Sequence, residues 1–145
     1  MKFLDLPLTN IQELIPQRFP FVMVDALLEY SNSNVVSSFK VLKENIFLEN
    51  NTLSEAGLIE NMAQTIALHS GYDFLLRGEK APMGYIGSIK KIDVLMLPTL
   101  NETISTQGTI LQEFMGITLV KLKVLNDKNN VLAYGEMKTV IVSNG

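Results

Sequence analysis

The chain has 145 residues, of which 47% are hydrophobic and 19% charged, with no cysteine, one histidine and a formal net charge of −3 at pH 7. These values indicate one globular domain rather than a disordered chain. The acidic balance argues against a general nucleic-acid binder. The lack of cysteine excludes disulfides and thiolate chemistry, and a single histidine excludes a histidine-rich metal site within one chain.

No apolar run approaches the ~18 residues that a membrane-spanning helix needs. The first residues, Met1 to Asp5, lack the charged and long apolar regions of a signal peptide. We therefore predict a cytoplasmic protein without a membrane span, a bound metal or a nucleic-acid partner.

The N-terminal part of the chain predicts a short helix followed by a β-hairpin. The segment Thr9-Asn10-Ile11-Gln12 has the pattern of a capping box, and Pro16 ends the short helix that it starts. Strands are predicted over residues 22–30 and 35–42, with the turn-forming residues 31–34 between them.

The longest helical pattern follows, with Ser54 as its N-cap and Leu76 near its end. Residues 77–80 close the helix. Many of its side chains are small, which favours a helix enclosed on several sides. Six residues have the spacing of one buried stripe: Ile59, Met62, Ala63, Ile66, Ala67 and Ser70.

The rest of the chain predicts only strands, over residues 86–97, 103–111, 117–125 and 131–142. Their connections are of hairpin length, which favours an antiparallel sheet, and one long helix must cover the apolar face of that sheet. We therefore predict an α+β fold, a single domain over residues 1–145 in which the sheet wraps around a central helix.

Two segments carry a family resemblance. Residues 14–25 read LIPQRFPFVMVD and residues 57–64 read GLIENMAQ. Together they resemble the hotdog-fold 3-hydroxyacyl-(acyl carrier protein) dehydratases, whose typical patterns are L-P-H-R-x-P-F-L-L-V-D and G-x-L-x-x-E-A-M-A-Q. Weaker similarities occur at residues 87–92 and 133–136. The resemblance covers nearly the whole chain in the right order, and it implies a hotdog fold.

The resemblance also implies a chemistry. Dehydration of a 3-hydroxyacyl thioester needs a base for the α-proton, an acid for the leaving hydroxyl and a donor to the thioester oxygen. In the family, a histidine and a glutamate across a dimer interface transfer the protons. Glu60 matches that glutamate, Gln64 one turn later supports it, and Gly57 matches the helix-start glycine whose region polarises the thioester. The implied substrate is an acyl group on acyl carrier protein or coenzyme A, with no cofactor.

The family histidine is missing from this chain. It normally lies in G-H-F-P-G-x-P-x-x-P-G just before the central helix, whereas residues 47–57 here are shorter and contain neither histidine nor proline. Gln17 replaces the histidine of the first motif. The single histidine, His69, is nine residues beyond Glu60, about 180° around a helix. We therefore predict that His69 is a packed or surface residue rather than a relocated base.

One branch of the family resembles this chain most. Asn45-Ile46-Phe47-Leu48, followed directly by a helix that runs through Gly71-Tyr72, is similar to the dehydratase-like proteins of aryl-polyene and flexirubin-type pigment clusters. Some of those proteins are thought to be non-catalytic partners of an active dehydratase. The resemblance therefore places the chain in fatty-acid or polyene-type acyl chain elongation.

Three functions remain open from the sequence. The first is a 3-hydroxyacyl-carrier-protein dehydratase, a lyase that works without the usual histidine. The second is a non-catalytic subunit of a homodimer or heterodimer that lends Glu60 to a composite site with an active dehydratase. The third is an acyl thioesterase, in which Glu60 activates water, because hotdog folds also host hydrolysis.

Positive side chains near the end of the long helix and in the next strand could dock an acidic carrier protein, although a solvated surface is the simpler interpretation. Arg18 is expected to hold the N-terminal segment in place. The candidate docking residues are Arg77, Lys80, Lys90 and Lys91.

Overall fold

The computed structural model describes residues 5–142, apart from the side chains of Tyr85 and Val142. A 22-residue helix, α1, lies against a six-stranded antiparallel sheet of order β1-β2-β6-β7-β8-β5. A separate small hairpin, β3-β4, precedes the helix. The elements are a 3₁₀ helix Ile11–Glu13, β1 Ala26–Tyr30, β2 Asn34–Lys40, β3 Leu48–Glu49, β4 Thr52–Leu53, α1 Glu55–Leu76, β5 Met83–Val94, β6 Thr103–Phe114, β7 Ile117–Leu125 and β8 Val131–Val142.

The core lies between α1 and the concave face of the sheet. In β7, alternate side chains are buried, as expected for a strand with one covered face. Leu58, Met62 and Ile66 of α1 belong to the same buried cluster as Val120 and Leu122 of β7. This arrangement confirms the predicted α+β fold with a sheet around a central helix.

Several predicted elements agree closely with the structure. α1 begins after the N-cap Ser54 and ends at Leu76, and β7 and β8 have the predicted bounds. The capping box is wrong, because Asn10 precedes a 3₁₀ helix and makes no side-chain capping hydrogen bond. The predicted β5 range, 86–97, is shifted toward the C-terminus relative to the structure.

The first predicted strand starts four residues too early. Residues 22–25 precede β1 because the backbone of Met23 bonds to side chains of α1 instead of a neighbouring strand. The Met23 amide donates to Gln64 Oε1 at 2.7 Å, and the Met23 carbonyl accepts from Asn61 Nδ2 at 2.7 Å. These contacts fix the segment against the helix.

The predicted buried stripe of α1 is only partly correct. Met62 and Ile66 are buried, but the other four predicted residues are only partly covered. The helix instead buries polar side chains toward the sheet and the N-terminal segment, among them Asn61, Gln64 and Thr65. Apolar and small residues are therefore left on an incompletely covered face: Ala56, Ile59, Ala63, Ala67, Ser70 and Phe74.

Strand β5 forms one edge of the sheet and contains two register shifts, between Ile86 and Ser88 and between Ile89 and Lys91. Each shift inserts one residue, so Ile86, Ile89 and Ile92 share a face despite their spacing of three. Ile89 lies opposite the buried Met137, so this is the helix side of the sheet. Ile86 and Ile89 remain 39% and 44% exposed there.

The N-terminal segment packs closely on the helix at Gly71. A Cβ atom at this position would lie 1.9 Å from the carbonyl oxygen of Leu14. Glycine therefore allows a direct contact between the helix and the backbone of the segment that follows the 3₁₀ helix.

We predict that Gly71→Ala destabilises the protein. Glycine to alanine in a helix is normally stabilising by up to about 1 kcal/mol. Here overpacking against Leu14 reverses the sign, and we expect a loss of about 3 kcal/mol in the free energy of unfolding, measured by urea denaturation. Gly84→Ala is the matched control, because its new Cβ would meet no atom closer than 3.7 Å. Equal stability of the two variants would contradict the close contact at Gly71.

Candidate functional site

The chain enters α1 through the β3-β4 hairpin, in the place where the family carries its histidine. Asn50 and Asn51 form the turn with positive φ angles of 50° and 63°, a conformation that asparagine tolerates better than most residues. Ser54 then caps the helix, and its hydroxyl accepts a hydrogen bond from the Gly57 amide at 3.3 Å. A tight hairpin has thus replaced the histidine loop.

Glu60 is held by Gln64, one turn further along α1. Gln64 Nε2 donates to Glu60 Oε2 at 2.7 Å and to the Phe21 carbonyl at 2.8 Å. Gln64 Oε1 accepts from the Met23 amide, and the side chain is fully buried. All the hydrogen-bonding groups of this amide are therefore used. Glu60 itself is partly exposed, so one end of its carboxylate is fixed while the residue remains open to a ligand.

Asn61 is a buried residue of this region that sequence analysis did not single out. It is 1% exposed and bonds to Met23 and to Thr106 of β6. The signal was present, because the family pattern has alanine directly after its glutamate and this chain has asparagine. An amide at a core position requires hydrogen-bond partners.

Gly57 is in the first turn of α1 and packs against the hairpin region. A Cβ atom there would lie 2.6 Å from Phe47 Cβ and 2.7 Å from Leu53 Cδ1. This close packing accounts for glycine at the position, and its amide already serves the N-cap. The expected role in thioester binding stays a prediction.

His69 is a packed residue, as predicted. It is 8% exposed, its Nε2 donates to the Ser31 carbonyl at 2.8 Å, and its ring stacks on Tyr30 with centroids 4.8 Å apart. Burial and a hydrogen bond to Asp73 raise the pKa of Tyr30 to about 12. His69 therefore belongs to a structural cluster, and it does not approach Glu60.

A cavity of about 100 Å³ lies beside this structural cluster, between the C-terminal half of α1 and the ends of β6 and β7. Its walls include His69, Ser70, Glu113 and Thr118. Glu60 does not line it, so this cavity is separate from the Glu60 region.

The four predicted docking residues do not lie together in the structure. Arg77 pairs with Asp73 at 2.9 Å, which partly neutralises its charge. Lys90 and Lys91 are exposed in the middle of β5. At ~3.3 Å per residue, Lys90 lies roughly 20 Å along the strand from its start near the helix end. Arg18 bonds to backbone carbonyls of its own segment, in agreement with the structural role expected for it.

Glu60 borders the incompletely covered face of α1. Ala63 and Ala67 follow it on that face, and the exposed Ile86 and Ile89 of β5 face the helix side of the sheet. Beyond β5, no further strand pairs with the sheet in the part of the chain that the structure describes. An apolar helix face, an open sheet edge and a fixed carboxylate thus occur on one side of the molecule.

We predict that Gln64→Leu lowers the free energy of unfolding by about 2 kcal/mol, because it leaves the buried Met23 amide without an acceptor. Glu60→Gln is the control. Its amide oxygen still accepts from Gln64, so the change is expected to stay within about 0.5 kcal/mol. Urea unfolding of both variants checks this, and a neutral Gln64→Leu would contradict the role of Gln64 in fixing the N-terminal segment.

Comparison with known proteins places this chain in a family. Residues 9–118 match the model of the ApeP-like family, described as ApeP dehydratase. A 3-hydroxyacyl-[acyl-carrier-protein] dehydratase, FabZ, from Ruminiclostridium cellulolyticum is 27% identical over 139 residues, which cover 90% of this chain and 95% of the relative.

Two solved structures show the shared fold. The dehydratase heterocomplex ApeI:P from Xenorhabdus doucetiae matches with a TM-score of 0.87 and 20% identity over 97% of this chain and 93% of that one. A hypothetical thioesterase with coenzyme A from Streptococcus pneumoniae TIGR4 matches with a TM-score of 0.65 and 12% identity over 81% and 87%. At these identities the likeness concerns the hotdog fold alone.

Over residues 5–142, no helix has both the length and the apolar character to cross a membrane. The same residues contain no cluster of acidic and histidine side chains suited to a metal ion. The family match spans most of the chain, includes α1 with Glu60 and Gln64, and agrees with the hotdog fold. The chain therefore belongs to the ApeP-like dehydratase family and is a homologue of 3-hydroxyacyl-acyl-carrier-protein dehydratases.

Proposed function

We propose that this chain is one subunit of a two-chain dehydratase, in which it supplies Glu60 and a related dehydratase supplies the histidine. One observation carries the proposal. Glu60 is held in place by a fully buried glutamine, while the only histidine of the chain is packed on Tyr30 and bonded to Ser31. A homodimer would contain two such carboxylates and no available imidazole.

The reaction removes the α-proton and the β-hydroxyl of a 3-hydroxyacyl thioester as water and leaves a trans-2-enoyl thioester. We assign the α-proton to the histidine of the partner subunit and the proton delivered to the leaving hydroxyl to Glu60. Gln64 holds Glu60 Oε2, so Oε1 is the atom assigned to the substrate hydroxyl. Gly57 marks the proposed thioester-binding position in the first turn of α1. Its own amide donates to Ser54, so we assign the stabilisation of a developing negative charge there to the helix dipole.

The open side of the molecule supports the pairing. Pairing of β5 with an equivalent strand of the partner would satisfy its free edge and continue the sheet. The same contact would cover Ile86 and Ile89, which are large apolar residues left exposed on the concave side. The partner's helix would meet the small-residue face of α1 beside Glu60, which is where a composite site must form.

The relatives support the class of substrate and partner. The ApeI:P structure from Xenorhabdus doucetiae is described as a dehydratase heterocomplex. The FabZ relative is named for 3-hydroxyacyl-acyl-carrier-protein dehydration. We infer an acyl carrier protein or coenzyme A thioester for this chain, in fatty-acid or polyene-type chain elongation. The exposed Lys90 and Lys91 beside the proposed interface remain candidates for carrier docking, as do Arg77 and Lys80. The cytoplasmic location stays a prediction.

We predict that the wild-type chain, co-purified with a histidine-bearing dehydratase paralogue from the same genome, increases turnover of 3-hydroxyacyl-carrier protein. Glu60→Gln should reduce this added turnover at least a hundredfold, because it removes a proton donor without changing shape. His69→Gln is the matched control and should retain turnover within about twofold, since His69 is not used. The measurement is formation of the enoyl thioester.

Three results would contradict this proposal. If the isolated chain dehydrates the substrate and Glu60→Gln abolishes that activity, Glu60 works without a partner. If the isolated chain instead hydrolyses the thioester in a Glu60-dependent way, the thioesterase interpretation is correct. Equal turnover by the mixture with wild-type chain and with Glu60→Gln would show that Glu60 takes no part in the reaction.

We predict that Ile89→Arg prevents pairing with the paralogue, because it places a charge in the centre of the apolar interface. Leu111→Arg is the matched control, since Leu111 is 49% exposed on β6, away from the free sheet edge. Both variants should keep the circular dichroism of the wild type. Size-exclusion chromatography of the co-expressed pair should show a complex for Leu111→Arg and none for Ile89→Arg. A complex of equal stability with both variants would place the interface elsewhere.

A further inference from the structure

We propose that Asn61 and Thr106 are positioning residues for Glu60, connected to it through the backbone of Met23 and the side chain of Gln64. The inference rests on the proposed function of Glu60 and deepens it. Neither residue belongs to the motifs that identify the family: Asn61 replaces the alanine of the family pattern, and Thr106 lies on a different element.

The first part of this connection, from Thr106 to Met23, is buried. Thr106 is on the concave face of β6 and is fully buried, and its hydroxyl donates to Asn61 Oδ1 at 2.6 Å. Asn61 Nδ2 donates in turn to the Met23 carbonyl at 2.7 Å. Because Thr106 is fixed by the sheet, it determines the orientation of the Asn61 amide, and Asn61 determines the position of the Met23 carbonyl.

The connection continues from the amide of Met23 toward Glu60. The Met23 amide donates to Gln64 Oε1, and Gln64 Nε2 donates to Glu60 Oε2. Rotating the Gln64 amide by 180° would place its NH₂ against the Met23 amide and its oxygen against two acceptors, the Phe21 carbonyl and Glu60. The Met23 backbone therefore fixes the one amide orientation in which Gln64 donates to Glu60.

This geometry explains why the segment before β1 is held by side chains of α1 and not by a strand. A strand would fix its position relative to the sheet, whereas Asn61 and Gln64 fix it relative to the helix that carries Glu60. Glu60, Asn61 and Gln64 lie within four residues of each other, so one rigid unit contains the carboxylate and both amides. Hydrogen bonds of this kind, buried and fully satisfied, hold side chains in one orientation.

Thr106→Val tests the proposal without a change in shape, and Thr106→Ser restores the hydroxyl. In the complex with the paralogue, we expect Thr106→Val to lower kcat about fivefold to tenfold with little change in KM, as the loss of one buried hydrogen bond and its consequence for Asn61 predict. Thr106→Ser should stay within about twofold of wild type. A lowered kcat for both variants would point to packing rather than positioning.

Ser37→Ala is the matched structural control. Ser37 is fully buried, lies opposite Thr106 in the sheet and bonds to Thr65 at 2.7 Å. Thr65 donates to the main-chain carbonyl of Asn61, so this bond does not reach the Asn61 side-chain amide that holds Met23. We expect Ser37→Ala to lower Tm by an amount comparable to Thr106→Val while kcat stays unchanged. A loss of kcat in Ser37→Ala equal to that in Thr106→Val would overturn the specific connection.

A second measurement on the isolated chain separates this inference from the proposed function. The side-chain amide signals of Gln64 in ¹H–¹⁵N NMR spectra should shift in Thr106→Val and remain unchanged in Ser37→Ala. Unchanged Gln64 signals in Thr106→Val would overturn the inference, whatever the activity. Shifted signals with an unchanged kcat would leave the connection structural and overturn its catalytic role. Failure of the proposed function shows separately, in the activity of Glu60→Gln.

Discussion

The structure depends on one short peptide segment that is held by side chains of the central helix. Met23 is fully buried, and both its amide and its carbonyl need partners, since an unpaired buried backbone group costs about 1–3 kcal/mol. Gln64 and Asn61 provide them. The same two amides connect the N-terminal segment, the helix and the sheet, so the position of Glu60 is a consequence of how the backbone of Met23 is satisfied.

This constraint decides how the helix distributes its residues. Part of its covered side carries polar side chains that satisfy Met23 and Thr106, beside apolar residues such as Met62 and Ile66, whereas its alanines lie on the less covered side. In a single chain the small-residue face of α1 is therefore left partly exposed, although such a face is suited to packing against another element. The edge strand shows a similar property, since its two register shifts keep three isoleucines on the concave face, and two of them, Ile86 and Ile89, remain exposed there.

Much of the fold was predictable from sequence because local signals agree with tertiary structure in those regions. Ser54 marks the start of α1, and the alternation of β7 identifies its buried face. The errors occur where distant groups decide. Residues 22–25 have strand composition, but the partners of the Met23 backbone are side chains about forty residues away. Period-two alternation could not reveal that Ile86, Ile89 and Ile92 share a face, because the bulges reset the register. The motif identified Glu60 and Gln64, whereas Asn61 has meaning only once Met23 and Thr106 are beside it.

The fold explains separately why the family histidine can be missing and why Gln64, which holds Glu60, is present. In the family pattern the histidine lies in a loop before the helix, and in this chain a hairpin with a two-residue asparagine turn occupies that position. Gln64 cannot be lost so easily, because it also satisfies the backbone of Phe21 and Met23. The charge of Glu60 is not needed for folding in the same way, since a neutral glutamine at this position would accept from Gln64 Nε2 as the carboxylate does. A partly exposed carboxylate beside an open apolar face is therefore not explained by the stability of this chain, which agrees with the proposal that Glu60 acts together with a group that a second subunit brings to that face.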